Sequence, residues 1–194
     1  MHKIVRKEVL GTGLKLLEVE APETARKAQP GQFIMLRIDD RGERIPLTVA
    51  DFNREQGTLT VIFQEVGKTT QLLGELNAGD SLLDFVGPLG QPSEIEKYGR
   101  VVCIGGGVGV APIYPIARAL NQAGNEVIGI IGARSRDLVI LEKEMAAVSQ
   151  RLLVTTDDGS VGLQGRVTDA LRQVIEEGRP VDLVFAIGPL VMME

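Results

Sequence analysis

A glycine-rich segment between two apolar runs places the strongest constraint on how this chain can fold. Residues 101–120 read VVCIGGGVGVAPIYPIARAL, so four apolar residues precede Gly105, Gly106, Gly107 and Gly109. An unbroken apolar run is typical of a strand buried on both faces of a parallel sheet, and the residues after the glycines favour a helix. Glycines at such a turn let the chain tighten and let a phosphate group approach the backbone.

The glycine spacing alone leaves two interpretations open. The pattern from Gly105 to Pro112 is G-x-G-x-G-x-x-P, which differs from the standard dinucleotide pattern in its third spacing. Pro112 suits the first turn of a helix. The turn therefore either cradles a pyrophosphate or serves only the close packing of a strand against a helix.

The loops that follow the other predicted strands of this half favour the nucleotide interpretation. After Pro92 the chain alternates strand-like and helix-like segments, which is typical of a parallel α/β sheet. The predicted helices are residues 112–123, 141–148 and 167–176. Since the carboxyl ends of parallel strands meet at one edge, residues 132–137, 155–160 and 188–189 are expected beside the glycine turn. Four such loops on one edge favour a nucleotide site.

The first half of the chain has a different pattern. Six short strand-like runs, bounded by Gly, Pro, Asn and Asp turns, predict a small antiparallel barrel or sandwich. These runs are residues 2–10, 14–20, 32–38, 45–52, 58–66 and 81–87. A helix is predicted over 69–76. The expected domains are residues 1–96 and 97–194, the second with about four strands, where a doubly wound sheet normally continues.

Composition excludes several classes of function. The net charge of −5 and an aromatic content of 4% leave no basic or stacking surface for nucleic acid. Cys103 is the only cysteine and His2 the only histidine, which excludes internal disulfides, a thiolate metal cage and a Ser-His-Asp triad. No signal peptide and no membrane-spanning run are apparent, and we expect a cytoplasmic protein with no metal site.

The order and spacing of several segments resemble the ferredoxin–NADP reductase superfamily over essentially all 194 residues. The segments that carry the resemblance are PGQFIMLRI, RIPLTVADF, GKTTQLL, DFVGPLGQP, CIGGGVGVAPIYPIARAL, TTDDGSVGLQGRVTDAL and AIGPLVMM. Within that superfamily the chain is similar to the electron-transfer subunit of dihydroorotate dehydrogenase. It is similar also to the small subunit of NADH-dependent ferredoxin:NADP oxidoreductase, or sulfide dehydrogenase. The resemblance implies an FAD-binding antiparallel β barrel followed by an NAD(P)-binding α/β domain.

In the first domain the resemblance implies an FAD site built from two motifs. The strand motif falls on RIPLT, where Leu47 and Thr48 would line the isoalloxazine, Thr48 would lie nearest its reactive N5 edge, and Pro46 is a further cofactor-binding candidate. The arginine of that motif stands one position early, at Arg44, as a candidate for the pyrophosphate. The alternative is that Arg44 is an ordinary surface arginine beside Glu43 that binds no ligand.

The second flavin motif is G-x-x-[ST], which the chain matches at residues 67–70. Gly67, Lys68, Thr69 and Thr70 would hold the pyrophosphate with a hydroxyl and with backbone N–H groups at a helix start. The alternative is an ordinary N-cap on a short helix.

In the second domain the resemblance implies a pyridine-nucleotide site. The pyrophosphate would lie at Gly106, Gly107 and Gly109, and Asp157 would face the adenosine ribose. Gly188 and Pro189 stand where the family usually has Cys-Gly-Pro near the nicotinamide, with Ile187 in place of the cysteine. A carboxylate at the ribose suits NAD, whereas Arg134 and Arg136 would suit the extra phosphate of NADP.

The resemblance also implies partners. Relatives of the narrower kind hold a [2Fe–2S] cluster with C-terminal cysteines that these 194 residues lack, so a truncated chain is expected, and the cluster only if a further segment exists. The expected activity is electron transfer between NAD(P)H, FAD and a catalytic partner subunit. The alternatives are a module active only inside a complex, or a nucleotide-binding regulatory module without flavin.

Overall fold

The computed structural model describes residues 1–193, which form two compact units. The first unit spans Met1–Ser93 and the second begins at Glu94. The sequence had placed the domain boundary between residues 96 and 97, three residues further along.

The first unit is an antiparallel barrel of seven strands. Its strands are β1 (His2–Gly11), β2 (Leu14–Glu20), β3 (Phe33–Arg37), β4 (Ile45–Asn53), β5 (Thr58–Gln64), β6 (Ser81–Leu82) and β7 (Asp84–Leu89). They are ordered β6-β1-β2-β5-β4-β3-β7 in one sheet. The two edge strands, β6 and β7, are separated in the chain by Leu83 alone, so the sheet curls until its edges come close to each other. Such closure removes the exposed edges of an antiparallel sheet.

Two short helices complete the first unit, α1 (Pro22–Lys27) and α2 (Lys68–Glu75). Alternate residues of the strands, among them Leu17, Ile34 and Val61, point inward and are fully buried. Leu73 of α2 joins the same core, which places α2 against the barrel.

The second unit is a parallel sheet covered on both faces by helices. Its strands are β8 (Arg100–Gly106), β9 (Glu126–Ala133), β10 (Arg151–Thr156), β11 (Leu163–Gln164) and β12 (Leu183–Ile187). Its helices are α3 (Val110–Gln122), α4 (Glu142–Ala147), α5 (Val167–Glu176) and α6 (Leu190–Met193). All neighbouring strands run parallel in the order β11-β10-β9-β8-β12.

Successive residues of the central strands alternate between the two helical layers. Gly105 faces α3, because a Cβ on it would contact Ile113 too closely. Gly129 faces α4, where a Cβ would contact Met145 too closely. Gly132 faces α5, where a Cβ would strike Val167. Burial of β8 on both faces explains why its sequence is an unbroken apolar run.

The expected fold class, a barrel followed by a parallel α/β sheet, is confirmed. Three details differ from the sequence expectation. The run at residues 81–87 is two strands rather than one, since the chain changes edge at Leu83. Helix α1 was not foreseen, because six residues are too few to show helical periodicity. The sheet has five strands rather than about four, since the two residues of β11 pair with the end of β10.

Candidate functional site

The glycine turn lies where the strand order of the second unit reverses. Strand β8 is flanked by β9 on one side and β12 on the other, so connections leave it in opposite directions. Ligands of open α/β sheets bind at the carboxyl ends of the strands at such a switch point. The turn itself runs from the end of β8 through a single 3₁₀ turn, Gly107–Gly109, into α3.

The glycines of the turn serve two different purposes. A Cβ on Gly106 would lie 2.3 Å from Sδ of Met192, and one on Gly109 would lie 2.3 Å from the carbonyl oxygen of Ile187. Close packing therefore requires both of these glycines. Gly107 differs, because its φ is +55° and a Cβ there would meet nothing within 4 Å. At Gly107 the backbone is open to an approaching group at the start of a helix of 13 residues.

The loop after β12 lies directly against this turn. A Cβ on Gly188 would lie 3.5 Å from Cα of Gly106, and Cδ of Pro189 is 3.5 Å from the Cβ position of Gly106. The structure thus brings together Gly106, Gly109, Gly188 and Pro189, which the sequence had assigned to one nucleotide site. No thiol stands in this loop, since Ile187 precedes Gly188.

Further along the same edge, the loops after β9 and β10 form a cleft of about 470 Å³. Its lining residues are Ser135, Arg136, Asp137, Asp158 and Ser160. Adjacent strands lie about 4.8 Å apart, so the end of β10 is about 10 Å from the end of β8.

Asp158 organises this cleft. Its Oδ1 accepts hydrogen bonds from the backbone N–H of Ser160 at 2.9 Å and from the hydroxyl of Ser160 at 2.6 Å. The hydroxyl of Ser160 in turn accepts the backbone N–H of Arg136 at 2.8 Å, which joins the two loops. The bonds from Ser160 hold the pKa of Asp158 below its ordinary value, so this carboxyl is ionised at neutral pH.

Asp157, the residue that the sequence assigned to the ribose, is exposed but does not line the cleft. Its backbone N–H bonds to the carbonyl of Ala133 at 3.2 Å, as that of Asp158 bonds to the carbonyl of Arg134. The sequence assigned the ribose to Asp157 of this loop, whereas the side chains of the loop that line the cleft are Asp158 and Ser160. The signal was the D-G-S triplet, because an aspartate two residues before a serine typically accepts its N–H in a turn.

In the first unit, strand β4 carries the residues that the sequence assigned to the flavin ring. Leu47 packs with Ile45 and Val49 on the core side of the barrel. Pro46 and Thr48 therefore lie on the opposite face, because side chains alternate along a strand. Among residues 1–193 the hydroxyl of Thr48 forms no hydrogen bond, which leaves it free for a ligand.

Arg44 lies at the entry to β4 and is held by an acid. Its Nη2 is 2.9 Å from Oδ2 of Asp84, the same oxygen that Nε of Arg37 approaches at 2.8 Å. The Arg44 side chain remains 57% exposed. Its ionic partner is therefore Asp84 and not the neighbouring Glu43, and its guanidinium keeps donors that face solvent.

The start of α2 adjoins this arginine. The hydroxyl of Thr69 donates to Oε2 of Glu43 at 3.3 Å, which brings the two flavin motifs side by side. Thr70 closes the turn, because its hydroxyl accepts the N–H groups of Val66 and Gly67 and donates to the carbonyl of Gly67. A Cβ on Gly67 would meet nothing within 4 Å, so the backbone before Lys68 is open.

Three further observations limit what the described residues can do. Cys103 is fully buried in β8, and burial raises the pKa of its thiol to about 12, so it remains protonated. Within the described chain no group of three or more His, Cys, Asp or Glu side chains could hold a metal ion. None of the helices between residues 1 and 193 is both long and apolar enough to cross a membrane.

Comparisons with known proteins agree with this fold. The model of the oxidoreductase NAD-binding domain matches residues 103–194. A dihydroorotate dehydrogenase B (NAD(+)) electron transfer subunit homolog of Thermotoga maritima is 46% identical over 194 residues, all of this chain and 68% of the relative. The chain belongs to the family of dihydroorotate dehydrogenase B electron transfer subunits and their homologues.

Two further relatives show how this family extends. The electron transfer subunit of Geobacillus thermodenitrificans is 34% identical over 176 residues, covering 88% of this chain and 66% of that subunit. A solved structure of NADH-dependent reduced ferredoxin-NADP oxidoreductase, described for flavin-based electron bifurcation, aligns with a TM-score of 0.94 and 44% identity. That alignment covers all of this chain and 69% of the other. As a member of the dihydroorotate dehydrogenase B electron transfer subunit family, the chain is an oxidoreductase-family protein with an NAD-binding domain.

Proposed function

We propose that the chain transfers electrons between a pyridine dinucleotide and FAD, and passes them to a partner protein. The observation that carries this proposal is the open backbone at Gly107, which stands at the switch point of the parallel sheet, in a domain that matches the NAD-binding model. The related electron transfer subunits and the oxidoreductase named above support the existence of such a partner. Its substrate would be dihydroorotate or a ferredoxin.

The residues of the second unit fit a dinucleotide. The start of α3 offers backbone N–H groups and the positive end of a helix dipole to a pyrophosphate that reaches Gly107. Gly106 and Gly109 keep the turn tight, and Gly188 and Pro189 close one side of it. The thiol of Cys103 takes no part, since it is buried and protonated.

The residues of the first unit fit FAD. Arg44, steadied by Asp84, and the start of α2 at Gly67, Lys68, Thr69 and Thr70 would bind the pyrophosphate. Pro46 and Thr48 would face the flavin ring from β4, where Thr48 can donate or accept one hydrogen bond. FAD held by these residues would supply hydride acceptance from reduced nicotinamide and release of single electrons, so the protein would need no acid–base pair of its own.

Retention of flavin tests this proposal. Purified protein is incubated with FAD, desalted and examined by visible absorption, and the released chromophore is identified after heating. We expect FAD to remain bound in a ratio near one to one. Protein that loses all flavin on desalting but still binds NADH would instead be a nucleotide-binding module, and the flavin proposal would be wrong.

A further inference from the structure

The side chain of Met192 fills a notch between the glycine turn and the loop after β12. A Cβ on Gly188 would lie 2.6 Å from Sδ of Met192, and a Cβ on Gly106 would collide with the same sulfur. The thioether therefore occupies the space that side chains at both positions would need. The turn after β8 and the loop after β12 thus meet on this one side chain.

Met192 is anchored by its backbone and by its side chain. Its backbone N–H donates to the carbonyl of Pro189 at 2.8 Å, at the start of α6. Its side chain is half-buried and packs against the core cluster that contains Val102 and Ile104 of β8. An unbranched, polarizable thioether suits an irregular gap of this kind. The Met192 side chain therefore extends the core of the sheet as far as the glycine turn.

The position of the notch relates Met192 to ligand binding. Gly106 is followed directly by Gly107, whose backbone is open to an approaching group. Glycine has more backbone freedom to lose than any other residue, so a run of glycines depends on the contacts around it for its order. Met192 supplies such a contact at Gly106. Without the thioether, a ligand would have to order the turn as it binds, which lowers its affinity.

We propose that Met192 is a positioning residue that holds the glycine turn in the conformation that binds a pyridine dinucleotide. It acts through Gly106 and Gly188 rather than through a contact with the ligand. This inference rests on the proposed dinucleotide site, because it concerns the conformation in which that site binds its ligand.

Calorimetric titration of the whole chain with NADH tests this assignment without any electron transfer. We expect Met192→Ala to weaken NADH binding by about ten-fold, which lies within the range of coupling between contacting residues. Met192→Leu keeps most of the side-chain volume and should recover most of the native affinity, because volume-conserving apolar substitutions are tolerated best. An affinity for NADH in Met192→Ala equal to that of the native chain would overturn the proposal.

Two control variants separate positioning from general stability. Leu171→Ala, on α5, removes a half-buried side chain that packs on the same core cluster, so the free energy of unfolding should fall while NADH affinity stays unchanged. Met193→Ala removes the exposed neighbour on α6 and should change neither quantity. Equal losses of NADH affinity in Met192→Ala and Leu171→Ala would show that Met192 supports only the fold, and the proposal would be wrong.

A double substitution tests whether Met192 acts through Gly188. In Gly188→Ala the new methyl group would displace the thioether, so NADH binding should weaken. When Met192→Ala is also present, the methyl group would enter the vacated space, and binding should be no weaker than in Met192→Ala alone. If the losses of the two single variants add in the double variant, the two residues act independently and the proposal is overturned.

The native chain separates this inference from the proposed function. If the native chain binds no NADH, the proposed dinucleotide site is wrong and this inference fails with it. If the native chain binds NADH and the substitutions at Met192 leave its affinity unchanged, only the inference is overturned.

Discussion

At the scale of single residues, the glycines of the second unit separate packing from binding. Gly106 and Gly109 lack a side chain because Met192 and the carbonyl of Ile187 occupy that space. Gly107 faces open space, so its lack of a side chain needs another reason. Its positive φ is one, and access for a ligand is a second.

Gly107→Ala tests whether ligand access matters. Gly178, after α5, is a matched control, since its φ is +74° and a Cβ there would also meet nothing within 4 Å. Each alanine should lower the free energy of unfolding by about 1 kcal/mol through backbone strain. Calorimetric titration should show weaker NADH binding in Gly107→Ala alone. Equal NADH affinity in both variants would remove Gly107 from the binding site.

Thr48→Val tests the role of the hydroxyl on β4. We expect FAD to stay bound and flavin reduction by NADH to slow by about ten-fold, the effect of one lost hydrogen bond of roughly 1.4 kcal/mol. Thr60→Val, on β5, is the control, because Thr60 is also half-buried in a barrel strand. Stopped-flow reduction that is equally fast in native protein and Thr48→Val would contradict the assignment.

Part of the site could be predicted from residue types and part could not. Residues close together in the sequence predict three of these features: the glycine turn, the start of α2 and the loop with Asp157. They do so because glycine and hydroxyl residues at the ends of strands and helices indicate the local backbone geometry. The pairing of Arg44 with Asp84 joins residues 40 positions apart, which no local pattern shows. That the side chain of Asp158 and not that of Asp157 lines the cleft depends on the orientation of the loop, and the hydrogen bonds from Ser160 to Asp158 hold that orientation.

At the scale of elements, α2 depends on contacts at both of its ends. Thr70 closes its first turn through three hydrogen bonds. At the other end, Nζ of Lys7 donates to the carbonyl of Gly74 at 2.6 Å, where a positive charge is favourable at a helix C-terminus. The helix is thus oriented by the barrel rather than by its eight residues alone.

Thr70→Val should release the first turn of α2. We expect a loss of about 1 kcal/mol in the free energy of unfolding, typical for an N-terminal cap, together with weaker FAD binding. Thr69→Val loses only the hydrogen bond to Glu43 and should cost less stability. Urea unfolding of both variants gives the comparison. A larger loss for Thr69→Val would show that Thr70 does not hold the helix start.

At the amino ends of the parallel strands, Glu177 connects two arginines. It pairs with Arg100 on β8 at 2.6 Å and with Arg151 on β10. Hydrogen bonds, first from Arg100 and then from Arg151, hold the pKa of Glu177 below its ordinary value of 4.5. Its stabilising effect is therefore complete above pH 4.5 and is lost as the pH falls through the lower pKa of the folded chain.

Glu177→Gln should make the melting temperature less sensitive to pH in that acidic range. The native protein should lose stability on acidification, and the variant should start lower and lose less. Glu176→Gln changes an exposed neighbouring residue, so the melting temperature of this variant should depend on pH as that of the native protein does. The melting temperatures are measured by thermal denaturation at a series of pH values. If the melting temperatures of the native protein and of Glu177→Gln fall equally on acidification, Glu177 does not contribute to this pH dependence.

At the scale of the whole molecule, two units with different architectures divide the proposed work. In the proposed function, the barrel of Met1–Ser93 would bind FAD, and the parallel sheet that follows would bind the dinucleotide at the carboxyl edge of its strands. The change from short turn-bounded strands to alternating strands and helices is a strong sequence signal, so the overall architecture could be predicted. The two-residue strands β6 and β11 could not, because their pairing depends on distant partners.

In the proposed function, one chain binds FAD and a pyridine dinucleotide so that electrons pass between them. The most direct test is anaerobic titration of the FAD-reconstituted protein with NADH, followed by the absorbance of the flavin. We expect stoichiometric bleaching of the flavin with NADH. An oxidised flavin spectrum that persists in excess NADH would contradict electron transfer from the dinucleotide to FAD in this chain.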